Sequence, residues 1–221
     1  MRHAVVTGAS SGIGAAIAAR LLREGWRVTA VSRSAPAPGL AHLPLDLAET
    51  AAIRPALAGL RADALVHAAG LMRGGALGAL DAAAGARMWA LHVAAAEALA
   101  DALAPGLPDR SGRIVLLGSR TSAGQAGRSQ YAATKAALVA LARSWAAELA
   151  PRGITCNVVA PAATDTPMLR DPARAGTVPR LPPIGRLIAP EEVAALVAFL
   201  LGGEAGAITG QQLVVCGGAS L

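Results

Sequence analysis

Val5-Val6-Thr7-Gly8-Ala9-Ser10-Ser11-Gly12-Ile13-Gly14 runs from a short β-rich segment, through a glycine turn, into the start of a helical repeat. Glycine permits the tight turn and lets a ligand approach the backbone with no β-carbon in the way. The helix that follows offers free N–H groups and the positive end of its dipole, which suits a pyrophosphate. Taken alone, such a turn also serves as a plain strand-to-helix connection. Its place after the first strand of an alternating chain favours the dinucleotide reading. The spacing is G-x-x-x-G-x-G, not G-x-G-x-x-G, and it lacks the Lys-Ser/Thr of a P-loop.

Outward from this loop, strand and helix patterns alternate. Small and apolar residues recur at helical spacing over Ala15–Glu24, stopping at Gly25. Strands are expected at Arg27–Ser32, Leu43–Leu47, Ala64–His67, Arg113–Leu117, Ile154–Val159 and Gln212–Val215. Helices are expected at Glu49–Arg61, Asp81–Leu103, Gln130–Ala150 and Glu191–Leu201. Pro/Gly-rich loops fill Ser34–Leu40, where another helix would be usual, and Thr164–Pro190. This alternation predicts an α/β fold: one doubly wound, Rossmann-type domain with an approximately seven-stranded parallel sheet and helices on both faces. Right-handed crossovers then gather the strand C-termini along one edge, where a ligand crevice forms. Residues 1–118 make up the expected cofactor half, and residues 119–221 the catalytic and substrate-lid half.

Composition narrows the function classes. The chain has 221 residues, 54% hydrophobic and 15% charged, which suits one well-buried domain and not a disordered chain. Its longest uncharged apolar stretch, Val193–Gly203, is too short to cross a bilayer; Met1–Val6 faintly resembles a signal peptide, but the Thr7–Gly12 run interrupts it, so no targeting segment is expected. A cytoplasmic protein is expected. Cys156 and Cys216 have no partners at metal-ligand spacing, so no metal site is expected. The net charge of +6 comes from scattered arginines with few aromatics, which argues against nucleic acid and for solvated surface or attraction of anionic ligands.

Tyr131 and Lys135, the only tyrosine and the only lysine, stand four residues apart in Tyr131-Ala132-Ala133-Thr134-Lys135. On a helix this spacing puts both on one face. A neighbouring ammonium favours phenolate and lowers the phenol pKa, which fits a general acid/base for a carbonyl/alcohol pair. The bland alternative is a surface tyrosine beside a snorkelling lysine.

With the glycine loop and this pair, the chain resembles the short-chain dehydrogenase/reductase family over essentially its whole length. Asp46, Ala68-Ala69-Gly70 after a strand, Ser119, Pro161–Met168, Thr209-Gly210-Gln211 and Gly217-Gly218 add to the resemblance. It implies an NAD(P)-dependent oxidoreductase that interconverts a ketone and a secondary alcohol on a small-molecule substrate, in a homodimer or homotetramer. It implies that Gly8, Ser10, Ser11, Gly12, Ile13 and Gly14 hold the pyrophosphate end, Asp46 and Leu47 the adenine, and Ala69 and Gly70 the adenosine ribose. Pro161, Thr164 and Thr166 would line the nicotinamide, with the two threonines fixing its carboxamide. Tyr131 would exchange the proton, Lys135 would lower its pKa and bind the nicotinamide ribose, and Ser119 would orient the carbonyl. The rival from another class is a dinucleotide-binding redox sensor without turnover.

Four places depart from the family pattern. Ser119 precedes Tyr131 by one residue fewer than usual, leaving Ser122 as an alternative for the same role. His92 stands where the family places an asparagine supporting a water relay to the lysine; imidazole suits such a relay or a packed structural role. His67 occupies the position of another usual asparagine and reads as structural. After the second strand, Ser32-Arg33-Ser34 replaces the acidic residue that pairs with ribose hydroxyls, so NADP(H) is favoured, with NAD(H) as the alternative. The lid carries Pro167, Met168, Leu169, Pro179, Leu181, Pro182 and Pro183, with Arg170, Arg174, Arg180 and Arg186 spaced among them. Solvated arginines on a lid, or an apolar substrate with an anionic group, both fit.

Overall fold

A computed structural model describes residues 1–172 and 180–221. Seven parallel strands form one sheet in the order β3-β2-β1-β4-β5-β6-β7. They are β1 (His3–Thr7), β2 (Arg27–Ser32), β3 (Ala41–Pro44), β4 (Ala64–His67), β5 (Arg113–Leu117), β6 (Thr155–Pro161) and β7 (Gln212–Val215). The helices are α1 (Gly12–Arg23), α2 (Ile53–Ala56), α3 (Ala82–Trp89), α4 (Ala95–Leu103), α5 (Ser129–Leu149) and α6 (Pro190–Leu201). The order reverses between β1 and β4, which places the ligand crevice at the C-terminal ends of these strands.

Alternation along each strand splits the core into two layers. Ala4, Val6, Val66, Val115, Leu117 and Val159 pack with α1 and α6 through Ile17, Leu21, Val197 and Leu200. Val5, Leu65, Ile114, Leu116 and Val158 face the other way, against Leu99, Leu103, Leu138 and Ala142 of α4 and α5. All these side chains are buried, which accounts for strands that read as continuous apolar runs.

Three expectations need correction. The third strand ends at Pro44, short of Leu47, because Asp46 turns the chain: its carboxylate accepts from Ala48 N–H at 3.0 Å and its carbonyl from Glu49 N–H. The helix expected over Glu49–Arg61 is only a 3₁₀ turn at Thr50–Ala52 followed by Ile53–Ala56. Residues 57–60 then turn through Gly59 at φ +75°, a conformation that favours glycine and ends the helix. The helix expected over Asp81–Leu103 is interrupted by a π-helical turn at Ala90–Ala94. The Asp81 carboxylate caps its start by accepting from Ala84 N–H. No helix separates β2 from β3, as the Pro/Gly loop predicts.

Candidate active site

The glycine loop is close-packed around its own backbone. A β-carbon on Gly14 would lie 2.2 Å from the Gly8 carbonyl oxygen, and one on Gly8 would lie 2.8 Å from Ala69 Cα. Gly8 also sits at φ +65°, where a side chain is strained. Thr7 ties this turn to the neighbouring one: its hydroxyl accepts from Ala68 N–H and Ala69 N–H, each at 3.0 Å, and bonds His67 Nδ1 at 2.9 Å. Ser11, the N-cap of α1, places no side chain over the helix end. Gly8, Ser10, Ser11, Gly12, Ile13 and Gly14 therefore line an open cavity of about 250 Å³, together with Arg33, Asp46, Leu47, Ala69 and Gly70.

A second cavity, of about 500 Å³, holds Ser119, Tyr131, Lys135, His92, Pro161, Thr164 and Thr166. The two share Ile13, Ala68, Gly70, Leu71, Thr166 and Met168, so they form one crevice across the topological switch. The sequence-derived site residues thus converge from β1, β4, β5, α5 and β6. A dinucleotide fits this crevice: the loop that would take its phosphates has no β-carbon to spare, and the helix end beyond is uncapped by side chains.

Lys135 is the most constrained group in it. The side chain is 5% exposed, its Nζ donates to the Leu117 carbonyl at 2.8 Å, and burial pulls its pKa from 10.5 down to about 7. The ammonium lies 5.8 Å from the centre of the Tyr131 ring, as helical spacing predicts. Ser119 is buried at the base of a 3₁₀ turn, Arg120–Ala123, where its hydroxyl accepts from Thr121 N–H at 3.1 Å. The structure separates it from its rival. Ser122 accepts from Gln212 Nε2 at 2.8 Å and is directed to β7, away from the cavity.

His92 lies in the π-helical turn and packs edge-on to Tyr131, with ring centres 5.7 Å apart. Its Nε2 accepts from Leu71 N–H at 3.0 Å, so Nδ1 carries the proton and donates to Thr134 Oγ1 at 2.8 Å. Thr134 in turn donates to the Tyr131 carbonyl. Both ring nitrogens are thus engaged by protein, which fits the packed structural reading of His92, and the ring bridges the β4 turn and α5. Burial first, and the nearby Lys135 second, hold its pKa well below 6.5. His67 is also buried and structural: Nε2 donates to the Leu91 carbonyl, and its pKa falls to about 3.

Arg33 stands 3.9 Å from Asp46 at the exposed end of the crevice lined by the glycine loop. Of the lid residues, Met168, Leu169, Leu181, Pro183 and Arg180 line the catalytic cavity. Arg170 pairs with Asp165, and Arg186 with Glu192 at 2.6 Å. Arg174 and Pro179 lie outside the described residues. Sequence reading missed Thr7, whose hydroxyl organises two turns, and Arg120 and Arg128 in the cavity wall. Thr7 stood inside the quoted loop, but its partners come from β4 and carry no local signal. Among the described residues, no helix is long and apolar enough to cross a membrane, and no group of three or more His, Cys, Asp or Glu is placed to hold a metal.

Comparison with known proteins agrees with this arrangement. A family profile described as enoyl-(acyl carrier protein) reductase matches residues 8–220. The 3-oxoacyl-[acyl-carrier-protein] reductase FabG of Salmonella typhimurium is 38% identical over 235 residues, covering 97% of this chain and 96% of that protein. Aldohexose dehydrogenase of Thermoplasma acidophilum superposes with a TM-score of 0.91 at 29% identity, over 99% of this chain and 94% of that one. A short-chain dehydrogenase of Burkholderia cenocepacia, solved with NADP, superposes at 0.87 with 34% identity, over 100% and 98%. The chain belongs to the short-chain dehydrogenase/reductase family. It is an NAD(P)-dependent oxidoreductase of the class that interconverts ketones and secondary alcohols.

Proposed function

We propose that Ser119, Tyr131 and Lys135 carry out carbonyl reduction and its reverse, with NADP(H) as the preferred dinucleotide. The observation that carries this is the buried Lys135 ammonium beside Tyr131, in the same cavity as Ser119. Burying an ammonium opposes folding, a cost that a binding module without chemistry has no need to bear. The dinucleotide, when bound, supplies or accepts the hydride. Tyr131 gives its phenolic proton to the carbonyl oxygen in reduction and takes it back in oxidation. Lys135 stabilises the phenolate left behind and holds a ribose hydroxyl. Ser119 donates to the same substrate oxygen and fixes its position. His92 keeps α5 in register through Thr134, and so acts as a positioning residue.

At the other end of the crevice, Arg33 between Ser32 and Ser34 favours a 2′-phosphate, and Asp46, 3.9 Å away, is beyond hydrogen-bond distance from it. The relatives solved with NADP and NADPH support this preference. The long helical pair α3–α4 and helix α5 form the expected surface of a homodimer or homotetramer, with Trp89 half exposed upon it. Turnover followed by the absorbance of reduced nicotinamide, across a panel of ketones, tests the reading. NADPH is expected to exceed NADH by about tenfold or more in kcat/KM, and Arg33→Ala to remove most of that margin. Equal use of both dinucleotides by the wild type would contradict it.

A further inference from the structure

Arg33 draws little support from its own side-chain contacts. Its one carboxylate neighbour among the described residues, Asp46, lies at 3.9 Å, beyond hydrogen-bond distance, and the guanidinium is exposed. Its direction is therefore set by the turn that carries it, Ser32-Arg33-Ser34. No helix backs that turn, because β2 passes to β3 through the Pro/Gly loop. Hydrogen bonds hold it instead. The Ser32 hydroxyl donates to the Ser34 carbonyl at 2.8 Å. The Ser32 carbonyl accepts from Leu45 N–H at 3.3 Å and from His42 Nε2 at 3.0 Å.

His42 lies on β3, the edge strand, in register with Ala30 of β2. Side chains two apart on a strand share a face, so His42 stands on the same side of the sheet as Ser32. A carbonyl oxygen only accepts, so Nε2 carries the proton that makes this bond. The ring is exposed, and core packing does not account for it. Nor does His42 line the cavity, whereas Ser32, Arg33 and Ser34 all do. We propose that His42 is a positioning residue for dinucleotide choice: it fixes the Ser32 carbonyl, and with it the turn from which Arg33 reaches a 2′-phosphate. This deepens the NADP(H) reading and rests on it. His42 acts through Arg33 and makes no contact with the phosphate.

The probes are adenosine 2′,5′-bisphosphate and 5′-AMP, which carry the adenosine end without the nicotinamide, so calorimetry reads binding with no turnover. Wild type is expected to bind the bisphosphate tighter than 5′-AMP by about tenfold or more. His42→Ala should cut that ratio by about three- to tenfold while 5′-AMP affinity stays within about twofold of wild type. His42→Gln, whose amide nitrogen stands as many bonds from the backbone as Nε2, should restore most of the ratio. In an Arg33→Ala background, His42→Ala should change it no further. A ratio that His42→Ala leaves at the wild-type value would overturn the proposal while the NADP(H) reading stands. So would an equal loss of both ligands, which would mean general loosening of the edge strand. A further fall in the Arg33→Ala background would also overturn it, by showing direct contact with the phosphate. A wild type with no preference for the bisphosphate would overturn the NADP(H) reading and the proposal together.

Discussion

Lys135 is 5% exposed, and burial alone accounts for the fall of its pKa from 10.5 to about 7. The folded state thus holds this proton less tightly than the unfolded chain. Stability contributed by the neutral amine is fully present above about pH 10.5 and is lost as pH falls toward about 7. Replacing the amine with an apolar chain of similar length, Lys135→Met, is therefore expected to stabilise the protein by about 1–3 kcal/mol near neutral pH while abolishing turnover. Thermal unfolding should show this gain shrinking as pH is raised from about 7 toward 10. A variant less stable than wild type at neutral pH would contradict the assignment. The Tyr131–Lys135 pair was legible because its spacing is local and its residue types are unique in the chain. The place of Arg120 and Arg128 in the cavity wall was not, because the 3₁₀ turn after β5 and the start of α5 meet beside Lys135 only in the fold.

Helices and strands follow the same division. The glycine loop, β1 and α1 were readable because Gly14 and the positive φ of Gly8 answer demands within the loop itself, although Gly8 and Gly12 also face Ala69 and Thr166. Gly14→Ala puts a methyl 2.2 Å from the Gly8 carbonyl oxygen, and no flexible side chain is there to give way. We expect a loss of about 3 kcal/mol or more in chemical unfolding, with dinucleotide affinity down at least tenfold. A variant that matches wild type in both would refute the close-packed loop. The truncation of the helix after β3 was less legible, since its apolar spacing continues past Ala56 while Gly59 and the turn toward β4 end it. Nor does alanine-rich sequence announce a π-helical turn. It forms where His92 meets Leu71 N–H and Thr134, and where the Leu91 carbonyl receives His67 Nε2.

At the scale of the molecule, the parallel sheet and the crevice at its strand C-termini followed from alternation and handedness, while the strand order came only from the structure. Its core stores a pH dependence that sequence reading leaves hidden. His67 and His92 are buried and neutral, with pKa values below the ordinary 6.5, in the first case about 3. Stability is then fully present above about pH 6.5 and is lost as pH falls, with a slope approaching two protons below about pH 5. Urea midpoints measured across this range check it, and His67→Asn should flatten the slope. Midpoints that stay level between about pH 6.5 and 4 would show that these rings do not remain neutral in the fold.

The crevice joins a dinucleotide loop to Ser119, Tyr131 and Lys135, and proton transfer by Tyr131 is the step on which the whole account depends. The direct measurement is ketone reduction with NADPH by wild type and Tyr131→Phe, with NADPH affinity determined on both. The account predicts a loss of about 10³-fold in kcat with dinucleotide affinity within about threefold of wild type. A phenylalanine variant that retains most of its kcat would contradict it.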